Sequence, residues 1–211
     1  MWIIIRDGGH FMKQNVWLFR PLPHGTNQMK YFLDNNRVAV GYPVGENLEN
    51  ARVNEVNRLL INKSWSEGYN NLLAVVKPDM IKINDILIVP DDNKKDVYIC
   101  QVISNYIYEA ALDVDKEGSG FPHQRAVKWF FNKEPLVRSE LPEQLRASLR
   151  YPGTIADLSK HYNVIMNLVK GERVEGGSSL EEKALQIIEH YLDSDDPILR
   201  LRAAEIILDR K

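Results

Sequence analysis

Two runs of β-branched and aromatic residues, separated by five polar ones, constrain this chain more than any other feature. Ile81-Lys-Ile-Asn-Asp-Ile-Leu-Ile-Val-Pro90 leads through Asp91-Asp-Asn-Lys-Lys95 into Asp96-Val-Tyr-Ile-Cys-Gln-Val-Ile-Ser-Asn-Tyr-Ile-Tyr108. Such runs favour strands and the polar insert favours a reversal, so residues 86–89 and 96–103 are expected to pair as an antiparallel hairpin. Asn84-Asp85 reads as the turn that delivers the first strand into the core. Asn105 to Tyr108 is expected to extend or bend the second.

Around this hairpin the pattern alternates short strands with helices. Asn15-Val-Trp-Leu-Phe-Arg20 is a strand candidate stopped by Pro21-Leu-Pro-His-Gly25, and Thr26 is placed to cap a short helix through Met29, Tyr31, Phe32 and Leu33. Arg37 to Tyr42 reads as a strand ended by Pro43. Residues 51–60 read as a helix with Val53, Val56, Leu59 and Leu60 on one face. Residues 72–76 fit helix or strand. Ala126 to Phe131 reads as the last well-defined strand, Glu140 to Arg150 as a short helix, and Thr154-Ile-Ala-Asp157 as the capping box of a helix running through Leu168. Hairpins mixed with helices, in place of strict βα alternation, predict an α+β, barrel-like fold.

A net charge of −2 conceals an uneven distribution: residues 174–211 hold 5 Lys+Arg against 9 Asp+Glu, the preceding ones 22 against 20. Within residues 121–150, Arg125, Lys128, Lys133, Arg138, Arg146 and Arg150 outnumber Glu134, Glu140 and Glu143, an excess that phosphate attraction could use over a Debye length of about 8–10 Å. The one cysteine, Cys100, lies in an apolar strand pattern, which excludes an intrachain disulfide or a cysteine-ligated zinc framework and suits a reducing compartment. The opening Met-Trp-Ile-Ile-Ile-Arg-Asp is too short for a signal segment, and no long apolar run follows. The expectation is a cytoplasmic chain without membrane insertion. Met12 resembles a translation start, so residues 1–14 are read as an extension.

The order of motifs is more informative than any one of them. Trp-Leu-Phe-Arg, Arg-Val-Ala-Val-Gly-Tyr-Pro, Ile-Lys-Ile-Asn-Asp-Ile-Leu-Ile-Val-Pro, Tyr-Ile-Cys-Gln-Val, Asn-Tyr-Ile-Tyr and Pro-His-Gln-Arg-Ala-Val-Lys-Trp follow one another between residues 15 and 165. This series resembles the EVE-like branch of the PUA-like superfamily, and is most similar to the amino-terminal specificity domains of Mrr-type and McrB-type modification-dependent restriction proteins. Asn84 and Cys100 stand where such domains usually carry glycine. The resemblance implies a PUA-like pseudobarrel over residues 15–172 that accepts a flipped, modified base of DNA, with RNA an open alternative, in restriction or phage defence.

The pocket implied would be lined by Trp17, Tyr42, Trp65, Tyr106 and Tyr108, whose faces would stack on a base that has left its helix. Asn105 would read a base edge through its amide. His123, Arg125 and Lys128 would hold phosphates. Each has an ordinary alternative: core or barrel lining for the aromatics, a turn for Asn105, a solvated loop for His123.

Catalytic, metal and cofactor residues are not expected. Pro78-Asp79 with Asp92-Asn-Lys94 formally matches a PD…DxK nuclease pattern, but its second half falls in the hairpin turn, where Asp, Asn and Lys collect for conformational reasons. Walker, Gly-x-Ser-x-Gly and His-Glu-x-x-His motifs are absent from the sequence. A non-catalytic nucleic-acid-binding module is therefore the leading reading. A protein-interaction adaptor and a metal-dependent nuclease using Asp79, Asp92 and Lys94 are the rivals.

Residues 173–178 read as a linker and 179–211 as a HEAT-like helical hairpin. Leu185, Ile188 and Leu192, and Leu199, Ala203, Ile206 and Ile207, are each expected to make one apolar face. Such a unit would serve homo-oligomer formation or docking of a separate effector protein.

Overall fold

A computed structural model describes residues 14–116, 118–170, 188, 191–192 and 196–208. The chain divides into two units, Met1–Glu172 and Arg173–Lys211. The expected extension 1–14, the linker 173–178 and most of the first tail helix lie wholly or largely outside the described residues.

The first unit is α+β and is built on one seven-stranded sheet. Its strands are β1 (Val16–Phe19), β2 (Arg37–Val40), β3 (Ile86–Pro90), β4 (Asp96–Tyr108), β5 (His123–Trp129), β6 (Leu136–Val137) and β7 (Ile155–Asp157). They are ordered β2-β5-β4-β3-β1-β7, with β6 added to β4. Only β1 and β3 run parallel; every other pairing is antiparallel. The sheet is open: β2 and β7 are its ends, and no pairing among the described residues joins them. A closed barrel is thus not what the strands form.

Helices cover both faces, which explains why β3 is buried throughout. One core receives Phe19, Leu87, Val89, Cys100, Val102, Val127 and Trp129, together with Phe32, Val56, Leu60, Leu72 and Val75. These last come from α1 (Met29–Asn35), α2 (Val53–Asn62) and α3 (Tyr69–Val76). The opposite core receives Val16, Leu18, Ile86, Ile88, Val97 and Ile99 against Leu141, Leu145, Leu149, Leu158 and Ile165, carried by or near α4 (Glu143–Ser148) and α5 (Tyr162–Lys170). The period-two alternation of strand side chains assigns neighbours along β1, β3 and β4 to opposite cores.

Several local expectations change. Gln28 occupies the N-cap of α1, and the Asn27 side chain, not that of Thr26, accepts from the Met29 N–H at 2.9 Å. Residues 69–76 are helical. Thr154 to Asp157 does not start a helix: Ile155–Asp157 is the edge strand β7, held on β1, and regular helix begins only at Tyr162. A three-residue edge strand carries too little pattern to compete with a chance capping sequence. Asn84 takes φ 77°, a left-handed backbone that asparagine tolerates better than most residues. Glycine is therefore dispensable there.

In the second unit the described helix is α6 (Pro197–Leu208). Leu199 and Ile206, seven positions apart, share the face expected to be apolar, while the exposed Ile198 and Leu201 lie on other sides, so apolar residues are not confined to that face.

Candidate functional site

The aromatic and polar contacts nearest the end of β2 centre on His123, fully buried at the start of β5. Its Nε2 lies 3.1 Å from the Tyr42 carbonyl, which can only accept, so Nε2 carries the proton. Nδ1 is then free to accept from the Tyr106 hydroxyl at 2.7 Å. The Tyr106 ring stacks on the imidazole at 5.8 Å between centroids, and the Tyr108 ring sits 6.0 Å away on a tilt. Burial drives the imidazole pKa down to about 4, which keeps the ring neutral near pH 7. Tyr106 also accepts from the Leu48 N–H at 3.3 Å, and burial raises its phenol pKa. Burial and a 2.5 Å hydrogen bond to Asp113 push the Tyr108 phenol up to about 12.

Tyr42, held from behind by this donor, has φ 74°. A bulky residue in that region is strained and persists only where its surroundings over-determine it. The surroundings do so here: His123 binds its carbonyl, the Asn71 amide donates to its hydroxyl at 3.4 Å, and α3 begins so close that a Cβ on Gly68 would stand 2.2 Å from the ring.

The consequence is a half-open aromatic recess. Trp65 faces Tyr42 at 6.3 Å and His24 at 5.7 Å, and His24 faces Tyr42 at 6.4 Å, with all three ring planes inclined by 58–62°. His24 is fixed by a 2.8 Å hydrogen bond to the Gly120 carbonyl and itself takes φ 50°. The rings, with Val40, Gly41, Glu67 and Thr154, surround a space of about 240 Å³. That is somewhat below the roughly 300–1,000 Å³ of small-molecule pockets, a scale suited to one flat fragment.

The other sequence-selected residues go elsewhere. Trp17 does not join Trp65 and Tyr108: it packs on the core, and its indole N–H donates to Asp85 at 2.9 Å. Asp85 is itself buried and also accepts from the backbone N–H groups of Asn15 and Lys82, both at 2.9 Å. Asn105 is exposed in a bulge of β4. Tyr106 and Tyr108 pack on His123 and do not line the recess.

His123 and Arg125 cannot serve as phosphate contacts in this structure, because both are buried. Arg125 donates to the carbonyls of Val75 at 2.6 Å, Lys77 at 3.3 Å, Ile81 at 3.0 Å and Ser104 at 3.1 Å. A guanidinium thereby caps the negative end of α3 and ties it to β4. Lys128, on the other side of β5, is exposed.

Sequence reasoning missed His24, Asp85 and Asp113. The Pro-His-Gly turn was a usable signal for His24, since only a constrained reversal projects a ring back over the preceding strand. Asp79 and Asp92 occupy separate turns, after α3 and between β3 and β4. Among the described residues no three His, Cys, Asp or Glu side chains gather where a metal ion could be held, and no helix is long and apolar enough to cross a membrane.

Residues 23–159 match the family described as Domain of unknown function (DUF8426), a span that begins beside His24 and includes every ring of the recess. No curated protein matches the chain.

Proposed function

We propose that this chain, which belongs to the DUF8426 family, is a non-catalytic nucleic-acid-binding module that takes a flipped, modified base of DNA between His24, Tyr42 and Trp65. Its open sheet is read as an unclosed variant of the PUA-like pseudobarrel. The observation that carries the reading is the strained Tyr42 with two further rings inclined around one small concave space. An aromatic face recovers about 1–3 kcal/mol of the unstacking cost of a base, and the donors and acceptors of His24, Glu67 and the neighbouring backbone can select among base edges. In restriction or phage defence such a reader would pass its signal through residues 179–211 to a second copy or a separate effector in the cytoplasm.

Equilibrium binding at low salt to short labelled duplexes, with and without base modification, tests the reading. Trp65→Ala is expected to weaken binding by roughly 5- to 150-fold, the equivalent of removing one stacking partner. Failure of the wild-type chain to bind any duplex at low salt would leave the adaptor role in its place.

A further inference from the structure

The six basic residues between 121 and 150 do not act as one patch. Arg125 is buried, Lys128 stands apart on β5, and Lys133 donates to the Leu33 carbonyl at 2.6 Å. The remaining three converge with two residues of the hairpin turn. Lys94, Lys95, Arg138, Arg146 and Arg150 line one recess of about 580 Å³, with Val137 and Ser139.

The backbone brings them together. The turn between β3 and β4 closes through the Asp91 N–H to the Asp96 carbonyl at 3.0 Å, and Lys94 takes φ 62°. Strand β6 then pairs with the start of β4, and the Arg138 N–H donates to the Lys95 carbonyl at 2.7 Å, which fixes Arg138 beside the two lysines. Arg146 and Arg150, four residues apart across the end of α4, supply the far wall. Like charges at that spacing repel. Glu143 pairs with Arg146, yet the Arg146 Nε remains buried with no hydrogen-bond partner among the described residues. Arg20, whose pKa is lowered by burial and then by Arg138, adds a sixth cation nearby, beside Asp92.

We infer that this recess binds the phosphodiester backbone of a nucleic-acid strand. The inference rests on the nucleic-acid reading above and supplies the phosphate contacts that His123 and Arg125 cannot make. Its placement supports it. Arg150 lines the basic recess and Thr154 the aromatic one, while Arg20 grips the segment between them by donating to the carbonyls of Leu149 at 3.0 Å and Gly153 at 3.2 Å. Four residues of chain span at most about 14 Å. Measured along the helix axis, that is about four steps of a B-form duplex at 3.4 Å each. A strand could thus lie along the cations while one of its bases enters between the rings.

The test uses the full chain and a labelled duplex carrying the modification that binds tightest, with affinity followed as a function of salt. The exposed or half-exposed residues are neutralised together as K94Q, K95Q, R138Q and R150Q, with circular dichroism confirming the fold. Affinity is expected to fall at least tenfold at low salt, and the slope of log K against log salt to flatten by about 0.9 for every phosphate that is no longer neutralised. Trp65→Ala is expected to lower affinity with the slope unchanged. If the neutralised chain keeps wild-type affinity and slope while Trp65→Ala loses binding, the phosphate assignment is overturned and the base reading stands. Wild-type chain that binds no duplex overturns both. Inorganic tripolyphosphate bound as tightly as the duplex overturns the assignment to a polynucleotide in favour of a free-phosphate site.

Discussion

His123 donates from Nε2 to the carbonyl of Tyr42, 3.1 Å away, so a fully buried imidazole at the start of one strand holds in place the strained residue that follows another. The strand that Tyr42 follows and the strand that His123 begins are paired through Val40 and His123. Tyr42 is therefore anchored by the sheet edge even though it is already past the regular strand.

This relationship makes stability depend on acid. The unfolded chain protonates His123 near the ordinary value of 6.5, whereas the folded chain does so only near 4. Between those values the unfolded state holds more protons, so stability is complete above about pH 6.5, declines as the pH falls, and stops declining below about 4. The full span corresponds to about 3 kcal/mol. Denaturant titrations of wild type and His123→Gln should show a stability difference that shrinks from pH 7.5 to pH 5; an equal difference at both would refute the assignment.

Arg125 is expected to matter for folding and Lys128 for little. Arg125→Ala leaves four carbonyls without their guanidinium and should cost about 3–5 kcal/mol, with Arg125→Lys costing less but still more than about 1 kcal/mol because an ammonium cannot fork. Lys128→Ala should stay within about 0.5 kcal/mol. Urea midpoints distinguish these outcomes.

The glycine at 68 is expected to control the recess by shape alone. Its backbone is already helical, with φ −78° and ψ −7°, so alanine fits the chain and only the side chain intrudes on Tyr42. Gly68→Ala should cost about 1–3 kcal/mol by overpacking and should weaken duplex binding. Binding unchanged by this substitution would detach Tyr42 from the site.

Trp17 should behave as a support. Trp17→Phe keeps an aromatic ring and removes the N–H that reaches Asp85, for a loss of about 1 kcal/mol. Asp85→Ala strands the Asn15 and Lys82 N–H groups as well and should cost more. Nucleic-acid affinity of folded Trp17→Phe should equal that of wild type in the same duplex assay.

Cys100 is fully buried, and burial raises its thiol pKa well above the ordinary range. A thiol reagent should therefore modify the native chain no faster than it opens. Labelling rates that follow the denaturant dependence of unfolding would verify this.

The sequence was most legible where pattern and burial agree. The β3–β4 hairpin announced itself through β-branched residues around a polar turn, and α1 through apolar spacing. His123, Arg125 and Lys128 look like one basic cluster when read as neighbours, but a strand's period of two puts His123 and Arg125 on the face shared by Val127 and Trp129 and leaves Lys128 on the other. That alternation is a property of the sequence alone. The convergence of Lys94 and Lys95 with Arg138 is not, because it depends on β6, two residues long, finding the start of β4. The same limit applies to His24, whose partner Gly120 is 96 positions away.

The bulge in β4 interrupts the ladder without reversing the faces of the strand. Opposite β5, the four steps of β4 from Val102 to Tyr106 are matched by two, from Val127 to Arg125. The surplus is even, so the alternation stays in phase, and Tyr106 still packs on the core that holds Cys100 and Val102. The Ser104 carbonyl and hydroxyl, taken by Arg125 and by the Ala126 N–H, hold the surplus in place. The three residues 103–105 therefore lie outside the regular ladder, and the register of Tyr106 with Arg125 and Tyr108 with His123 beyond them, not an unbroken strand, keeps both phenols beside the imidazole.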